Sequence, residues 1–359
     1  MMKLWCRQIV SVVRLEMKKT FFSKRGLWVY LLASAPVVLY MVHSVHVTRE
    51  RRHLAQLATE HPISQAVFND IKTGLSRDQV VEKLGEPYCQ RTRYYHGGNG
   101  EKHSFVLYKY TDGKNDITYH FEDDELAWIH RRNPDTLPES QLIFATSFQF
   151  YFLRLAVFFG CVGIFINLFR GEMLNKSLHF YMLTPMRREV LLAGKYFAGL
   201  LATVVIFTSS TALQWWAMLW QFERGVIVDF LTGPGWTQFG AYLGVTALAC
   251  VGYGSIFLAV GLLFRNPIIP TAVVLLLESA NPFLPPLLKK TSMIYYLQSI
   301  CPVTAAPDKN MPPLINLLIS PTEPATTLTA VTCIVLLTFL VLALASRLAQ
   351  KLEINYSTE

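Results

Sequence analysis

Five stretches of this chain run for about twenty residues with almost no charge, and that pattern limits its folds more than any other feature. They are 27–45, 144–169, 196–220, 239–264 and 326–346, and Arg154 is the one charged residue among them. A helix rises about 1.5 Å per residue, so each stretch can cover roughly 30 Å of hydrocarbon. A sixth stretch, 268–288, is less regular: it carries Glu278, Pro282, Pro285 and Pro286 and reads as a span broken near its outer end. Only 16% of the residues are charged, against roughly 25% in soluble domains. The missing charge is removed in blocks, as a bilayer would require.

Lysine and arginine sit beside particular ends of these blocks. Residues 1–25 hold Lys3, Arg7, Arg14, Lys18, Lys19, Lys24 and Arg25. The stretch between the second and third blocks holds Arg170, Lys176, Arg187, Arg188 and Lys195, Arg265 follows the fourth, and Lys351 follows the last. With six spans all of these fall on one face, which the positive-inside rule makes the cytoplasm. Both termini are then cytoplasmic, and Trp215, Trp216, Trp220 and Trp236 gather at the outer interface. The net charge of +8 thus reflects membrane orientation, and no nucleic-acid partner is expected. No small-residue cleavage site follows the first block, so it reads as a permanent span. Before it, Trp5, Ile9, Val12, Val13 and Met17 recur at helical spacing. Residues 1–25 are therefore expected to form an amphipathic helix in the headgroup plane.

The chain between the first two spans, residues 46–142, has ordinary globular composition and is expected on the exterior, periplasmic side. It opens with helical material over 50–72. Ser76 is placed to cap a helix over 77–84, which Gly85-Glu86-Pro87 ends. Three strand-like runs follow at 90–95, 104–110 and 116–121, separated by turns at 97–100 and Asp112-Gly113, with a last apolar run at 126–129. The runs Gly74-Leu75-Ser76-Arg77-Asp78-Gln79-Val80, Leu84-Gly85-Glu86-Pro87 and the stretch from Ile117 to Leu126 resemble the small SmpA/OmlA-like lipoproteins of outer-membrane assembly. The resemblance implies two helices on a small antiparallel sheet and a protein-contact role.

The loop between the second and third spans, 170–195, carries the functional reading. Thr184-Pro185 divides it, and Leu178, Tyr181 and Met182 can share an apolar face. Glu172, Lys176 and Arg187 remain for ion pairs. A short amphipathic helix there gives a soluble partner a handle on two spans at once. Glu172, then Leu183-Thr184-Pro185 with Arg187-Arg188, then Gly194-Lys195 resemble the coupling-helix region of type-2 ABC transporter permeases. The likeness extends to the six-span count, the N-terminal helix, Glu278, and 287–292 with Tyr295-Tyr296-Leu297.

This resemblance implies an all-α polytopic membrane protein of six transmembrane helices, the type-2 ABC exporter permease fold, with a small α+β exterior domain inserted. It implies ATPase coupling through Glu172, Lys176, Leu183, Thr184, Pro185, Arg187 and Arg188. Its partners would be a separate ABC ATPase subunit and a second permease subunit, as a homodimer or heterodimer, in the inner membrane. A partner protein on the periplasmic side would meet the inserted domain.

The chain has no GxxxxGK[ST], so ATP and Mg belong to the separate ATPase and no cofactor is expected on this chain. GxSxG and HExxH are absent as well, and no metal site or enzymatic role is expected. Arg154 and Glu278 are the charges inside the spans. At the bilayer centre each costs about 2.5–3.5 kcal/mol or more, so either they pair or Arg154 reaches for the outer headgroups. A membrane-anchored sensor or envelope-assembly factor, working through the exterior domain, is the alternative reading.

Overall fold

The computed structural model describes residues 2–22, 26–60, 63, 65–96, 102–113, 115–122, 124–132, 136–174, 187–303 and 323–350. The chain divides into a helical unit, Met1–Met41 with Gln141–Glu359, and a second unit, Val42–Ser140.

Five helices are long and apolar enough to cross a membrane: Leu27–Thr59, Leu137–Met173, Arg188–Leu219, Arg224–Leu263 and Thr327–Gln350. They correspond to the five clear apolar blocks, and the protein is a membrane protein by this criterion. In several cases the helix outruns the block. α2 (Leu27–Glu60) continues past residue 45 without a break, because the chain turns polar there without turning into a poor helix former. α5 (Leu137–Met173) begins well before residue 144 and contains a π-helical stretch, Phe148–Val157. α6 (Arg188–Leu219) begins eight residues before the apolar block.

The fourth crossing is divided. α7 (Arg224–Phe230) and α8 (Trp236–Leu263) flank Gly233, whose backbone is non-helical (φ −91°, ψ −121°), next to Pro234. The block expected as a fifth span holds only a short helix, α9 (Ile268–Ala280), a 3₁₀ turn (Asn281–Phe283) and the start of α10 (Pro286–Lys289), and α11 (Met293–Ile300) follows it. Thirteen residues of α9 rise about 20 Å, too little for a bilayer alone. α12 (Thr327–Gln350) closes the described chain.

α5, α6 and α8 make the core of the helical unit. At one end of it Phe144, Phe148, Trp215 and Tyr242 form an aromatic cluster, with centroids 4.8–5.9 Å apart. α2 joins this core through Ser210 Oγ, which donates to the Ala33 carbonyl at 2.5 Å. Gly261 of α8 lies so close to α5 that an added Cβ would meet the Ile166 Cα at 2.8 Å. The pair Gly240 and Gly244, a GxxxG in the sequence, has nothing within 4 Å of either added Cβ. Close packing therefore uses a different glycine from the one the motif marks. α1 (Met2–Phe22) packs along α6, with Val12 buried against Gly194. On its apolar face Val12 is buried, while Trp5, Ile9, Val13 and Met17 are half-buried.

In the second unit, α3 (Gln65–Asp70) and α4 (Arg77–Leu84) accompany an antiparallel meander in the order β1-β2-β3-β4. The strands are β1 (Cys89–His96), β2 (Lys102–Thr111), β3 (Asp116–Glu122) and β4 (Glu125–Arg132). Alternation places Val106, Tyr108 and Tyr110 beside Ile117, Tyr119 and Phe121 on one face, and these join Phe68, Val80 and Leu84 in one core. The cap expected at Ser76 is a full capping box: Gln79 N–H donates to Ser76 Oγ at 3.4 Å, and Ser76 N–H donates to Gln79 Oε1 at 3.1 Å. Leu126 then ties β4 to this loop, accepting from Gly74 N–H and donating to the Leu75 carbonyl, both at 2.9 Å. The expected turn at 97–100 lies outside the described residues. All six cysteines are free thiols.

Gly261→Ala is expected to cost about 1–3 kcal/mol by overpacking against the α5 backbone. Gly244→Ala should be neutral or stabilising, because it only removes glycine's entropic cost in a helix. Thermal unfolding of the purified full chain in detergent checks the order. Equal losses for both variants would show that the α5–α8 approach is not tight at Gly261.

Candidate functional site

A lysine inside a long apolar helix must either reach water or find acceptors for three N–H groups. Lys195 of α6 has no exposed surface and takes the second course. Its ammonium donates to Glu172 Oε2 at 2.7 Å, to Glu16 Oε1 at 2.8 Å and to the Leu168 carbonyl at 2.7 Å. The Phe169 ring lies 5.2 Å from Nζ, within cation–π range. Lys19 then approaches the other oxygen of Glu172 at 3.1 Å and Glu16 at 4.0 Å. Two lysines and two glutamates thus form a charge-balanced knot that joins α1, the end of α5 and the start of α6. Gly194, beside Lys195, has room for no side chain: an added Cβ would lie 2.8 Å from the Cβ of Val12. The Gly-Lys pair therefore has two local tasks, close approach of α1 and the buried charge.

A second set of contacts surrounds the start of α6. The Arg187 guanidinium lies over the Trp5 ring of α1 at 5.1 Å. Arg188 Nη1 donates to the carbonyls of Ala349 and Gln350 at 3.1 and 3.0 Å. These carbonyls end α12, where a helix has no backbone donors left for them and a cation is favoured by the dipole. Gln350 Nε2 also donates to Glu189 Oε1. Four helix ends therefore meet at one end of the unit, on both sides of segment 175–186.

Of the residues singled out from the sequence, Glu172, Arg187 and Arg188 belong to this assembly. Glu172 is buried and turned inward to Lys195 and Lys19. Arg187 and Arg188 are engaged with α1 and α12. Lys176, Leu183, Thr184 and Pro185 lie outside the described residues. Sequence reasoning missed Glu16 and Lys19 as members of the knot. Glu16 is the one acidic residue in the first 25, and that isolation in a basic segment is the signal that marks it.

No ion-pair contact within 4.0 Å joins Arg154 and Glu278, although each acts on the other's charge. Glu278 is buried, and its carboxylate caps α11: Oε1 accepts from Met293 N–H at 2.9 Å, and Oε2 accepts from Ile294 N–H at 2.9 Å and from Tyr253 O–H at 3.2 Å. These N–H groups open a helix and lack intrahelical acceptors, so the carboxylate satisfies donors fifteen residues along the chain. Asn281 closes the intervening loop by donating to Ser292 Oγ and to the Lys289 carbonyl. Arg154 instead lies over the Phe150 ring at 5.1 Å. A charged helix cap outcompeted the salt bridge, because backbone N–H groups buried in an apolar setting need an acceptor as strongly as a guanidinium does.

No family model, curated protein or solved structure matches this chain.

Lys195→Met removes the cation between Glu16 and Glu172 and is expected to cost about 3–5 kcal/mol, as when one partner of a buried ion pair is lost. Hydrogen exchange should rise along α1 first, and Glu16→Gln in the same chain should recover part of the protection. If α1 exchange is unchanged in Lys195→Met, the knot does not hold α1. Glu278→Ala should expose the amides of Met293 and Ile294 to exchange, while Glu278→Gln, which keeps one acceptor oxygen, should lose less. Equal protection in both variants would show that the cap is dispensable.

Proposed function

We propose that this chain is the membrane-spanning permease subunit of an ABC transporter of the exporter kind, with no ATPase site of its own. The observation that carries the reading is the Lys195 knot. It binds together the helix ends on both sides of segment 175–186, together with α1. A push applied to that segment by a docked ATPase would therefore move α5, α6 and α1 as one piece instead of bending a loop. Arg188 extends the same linkage to α12. The sequence likeness to the type-2 coupling region falls on this segment and its flanks.

In this reading α9 and α11 together make the remaining crossing, which brings the spans to six and both termini to the cytoplasm. The second unit then lies in the periplasm, where its autonomous core suits contact with a partner protein. ATP and Mg are bound by a separate ATPase subunit, and a second permease subunit completes the path through the inner membrane. Glu172 acts here as a positioning residue for the coupling segment, and the ATPase contact itself falls to 175–188. The compact second unit is the observation that favours the other reading, a membrane-anchored sensor or assembly factor acting through that domain.

Purification of the full tagged chain from its native membrane in mild detergent distinguishes the two. A P-loop ATPase should co-purify, and replacement of 175–186 by a glycine–serine segment of equal length should release it from a chain that remains monodisperse. Replacement of the second unit's sheet surface should leave that association intact. Absence of any ATPase, or its retention by the replaced chain, would sink the permease reading.

A further inference from the structure

Among the described residues, two buried charges of the helical unit are fully hydrogen-bonded. Lys195 has three acceptors, and the Glu278 carboxylate is filled by two backbone N–H groups and a tyrosine. Arg154 makes no hydrogen bond and no ion pair, and its Nε is buried without a partner. It lies fourteen residues before Leu168 in the chain, or about 21 Å of helix rise. The Leu168 carbonyl belongs to the charged knot at the end of the helix, so Arg154 lies deep in the apolar part of α5. The Glu278 carboxylate lies close enough for its charge to act on Arg154 but is hydrogen-bonded to α11, so the guanidinium has an anion nearby and none in contact, which is costly at such depth.

The local geometry shows what could fill that role. Arg154 lies in the π-helical stretch Phe148–Val157, a distortion that recurs at functional sites. It is half-buried, so its charge stays reachable from the surface of the helix. Phe150 and Leu155, its neighbours on this stretch, are 47% and 39% exposed. A half-buried guanidinium therefore lies beside an apolar and aromatic wall. A free anion would have to cross hydrocarbon to reach it. An anion carried on an apolar tail arrives with its own solvent.

We propose that Arg154, with Phe150 beside it, is an intramembrane site for an anionic amphiphile, a molecule whose phosphate or carboxylate head takes the guanidinium and whose tail lies along the exposed face of α5. Arg154 is suited to this by its planar fork, which binds such heads in bidentate fashion. The inference deepens the export reading by naming a substrate class and rests on that reading only for the step from bound molecule to exported one.

The test uses the purified full chain in phosphatidylcholine nanodiscs, without any ATPase, titrated with fluorescent phosphatidylglycerol and, separately, fluorescent phosphatidylcholine. The wild type should bind the anionic probe at least about tenfold tighter than Arg154→Gln does. Arg154→Lys should retain part of that affinity, and Phe150→Ala should weaken it. Dodecyl phosphate should displace the probe, and inorganic phosphate at the same concentration should not. Three results overturn the proposal: no preference of the wild type for the anionic probe, equal affinity in wild type and Arg154→Gln, or displacement by inorganic phosphate as effective as by dodecyl phosphate. The wild-type arms need no variant to fold. Loss of ATPase capture with probe binding intact would remove the permease reading alone, and the reverse would remove only this one.

Discussion

A lysine with no exposed surface, surrounded by three oxygens, is the contact on which one end of the helical unit depends. Taking an ammonium out of water costs several kcal/mol even after relaxation, and attraction offsets this only when every donor is satisfied. Lys195 meets that condition with acceptors from two helices besides its own, and the arrangement therefore works as a three-way register pin. Removing any one member leaves a buried charge uncompensated. Lys19 matters for the same reason: with Glu16 and Glu172 both facing Lys195, one lysine alone would leave the knot negative. The short approach of Val12 to Gly194 and the stacking of Trp5 under Arg187 add packing on both sides of the pin, so α1 is held by shape as well as by charge.

The same requirement shapes the broken crossing. A helix that stops at Ala280 and restarts at Met293 exposes carbonyls at one end and N–H groups at the other, and in an apolar setting both need partners from the protein. Glu278 supplies them for α11, and Asn281 with Ser292 closes the loop between. Prolines at 282, 285 and 286 account for the break, since they lack a donor and force the chain off a helical path. They do not account for its stability. That rests on a carboxylate placed two residues before the helix ends.

Local features of the chain were legible and long-range ones were not. The cap at Ser76 reads directly, as do three strand-like runs and the apolar run at 126–129 that forms part of β4. The five long blocks read equally well because hydropathy is a property of each residue. Their helical ends did not, since hydropathy falls at residue 45 while helix propensity persists to Glu60. The apolar face of α1 was visible at its helical spacing, but periodicity gives a face and never its cover, and α6 takes up part of that face through Val12. Glu172 was marked by its place in the loop. Its partners Lys19 and Lys195 are 153 and 23 residues away in sequence, and no local pattern joins them. For Arg154 and Glu278, depth along the spans suggested a pair, but similar depth does not fix which way a side chain turns.

Three ionisable groups inside one helical bundle thus meet three different ends. Lys195 is neutralised by side chains and holds helices together. Glu278 is satisfied by backbone and holds a discontinuity together. Arg154 feels the charge of Glu278 and lies over Phe150, but it has no hydrogen bond and no ion-pair contact. A chain that encloses two charges so completely shows that its packing can do so, and the half-buried position of the third on a π-helical turn then marks a different requirement. The first two charges fix the parts of the bundle relative to one another. The third is turned to a surface where something outside the chain can reach it, and a mobile anionic head in the membrane is the chemistry that matches its depth, its fork and its apolar surroundings.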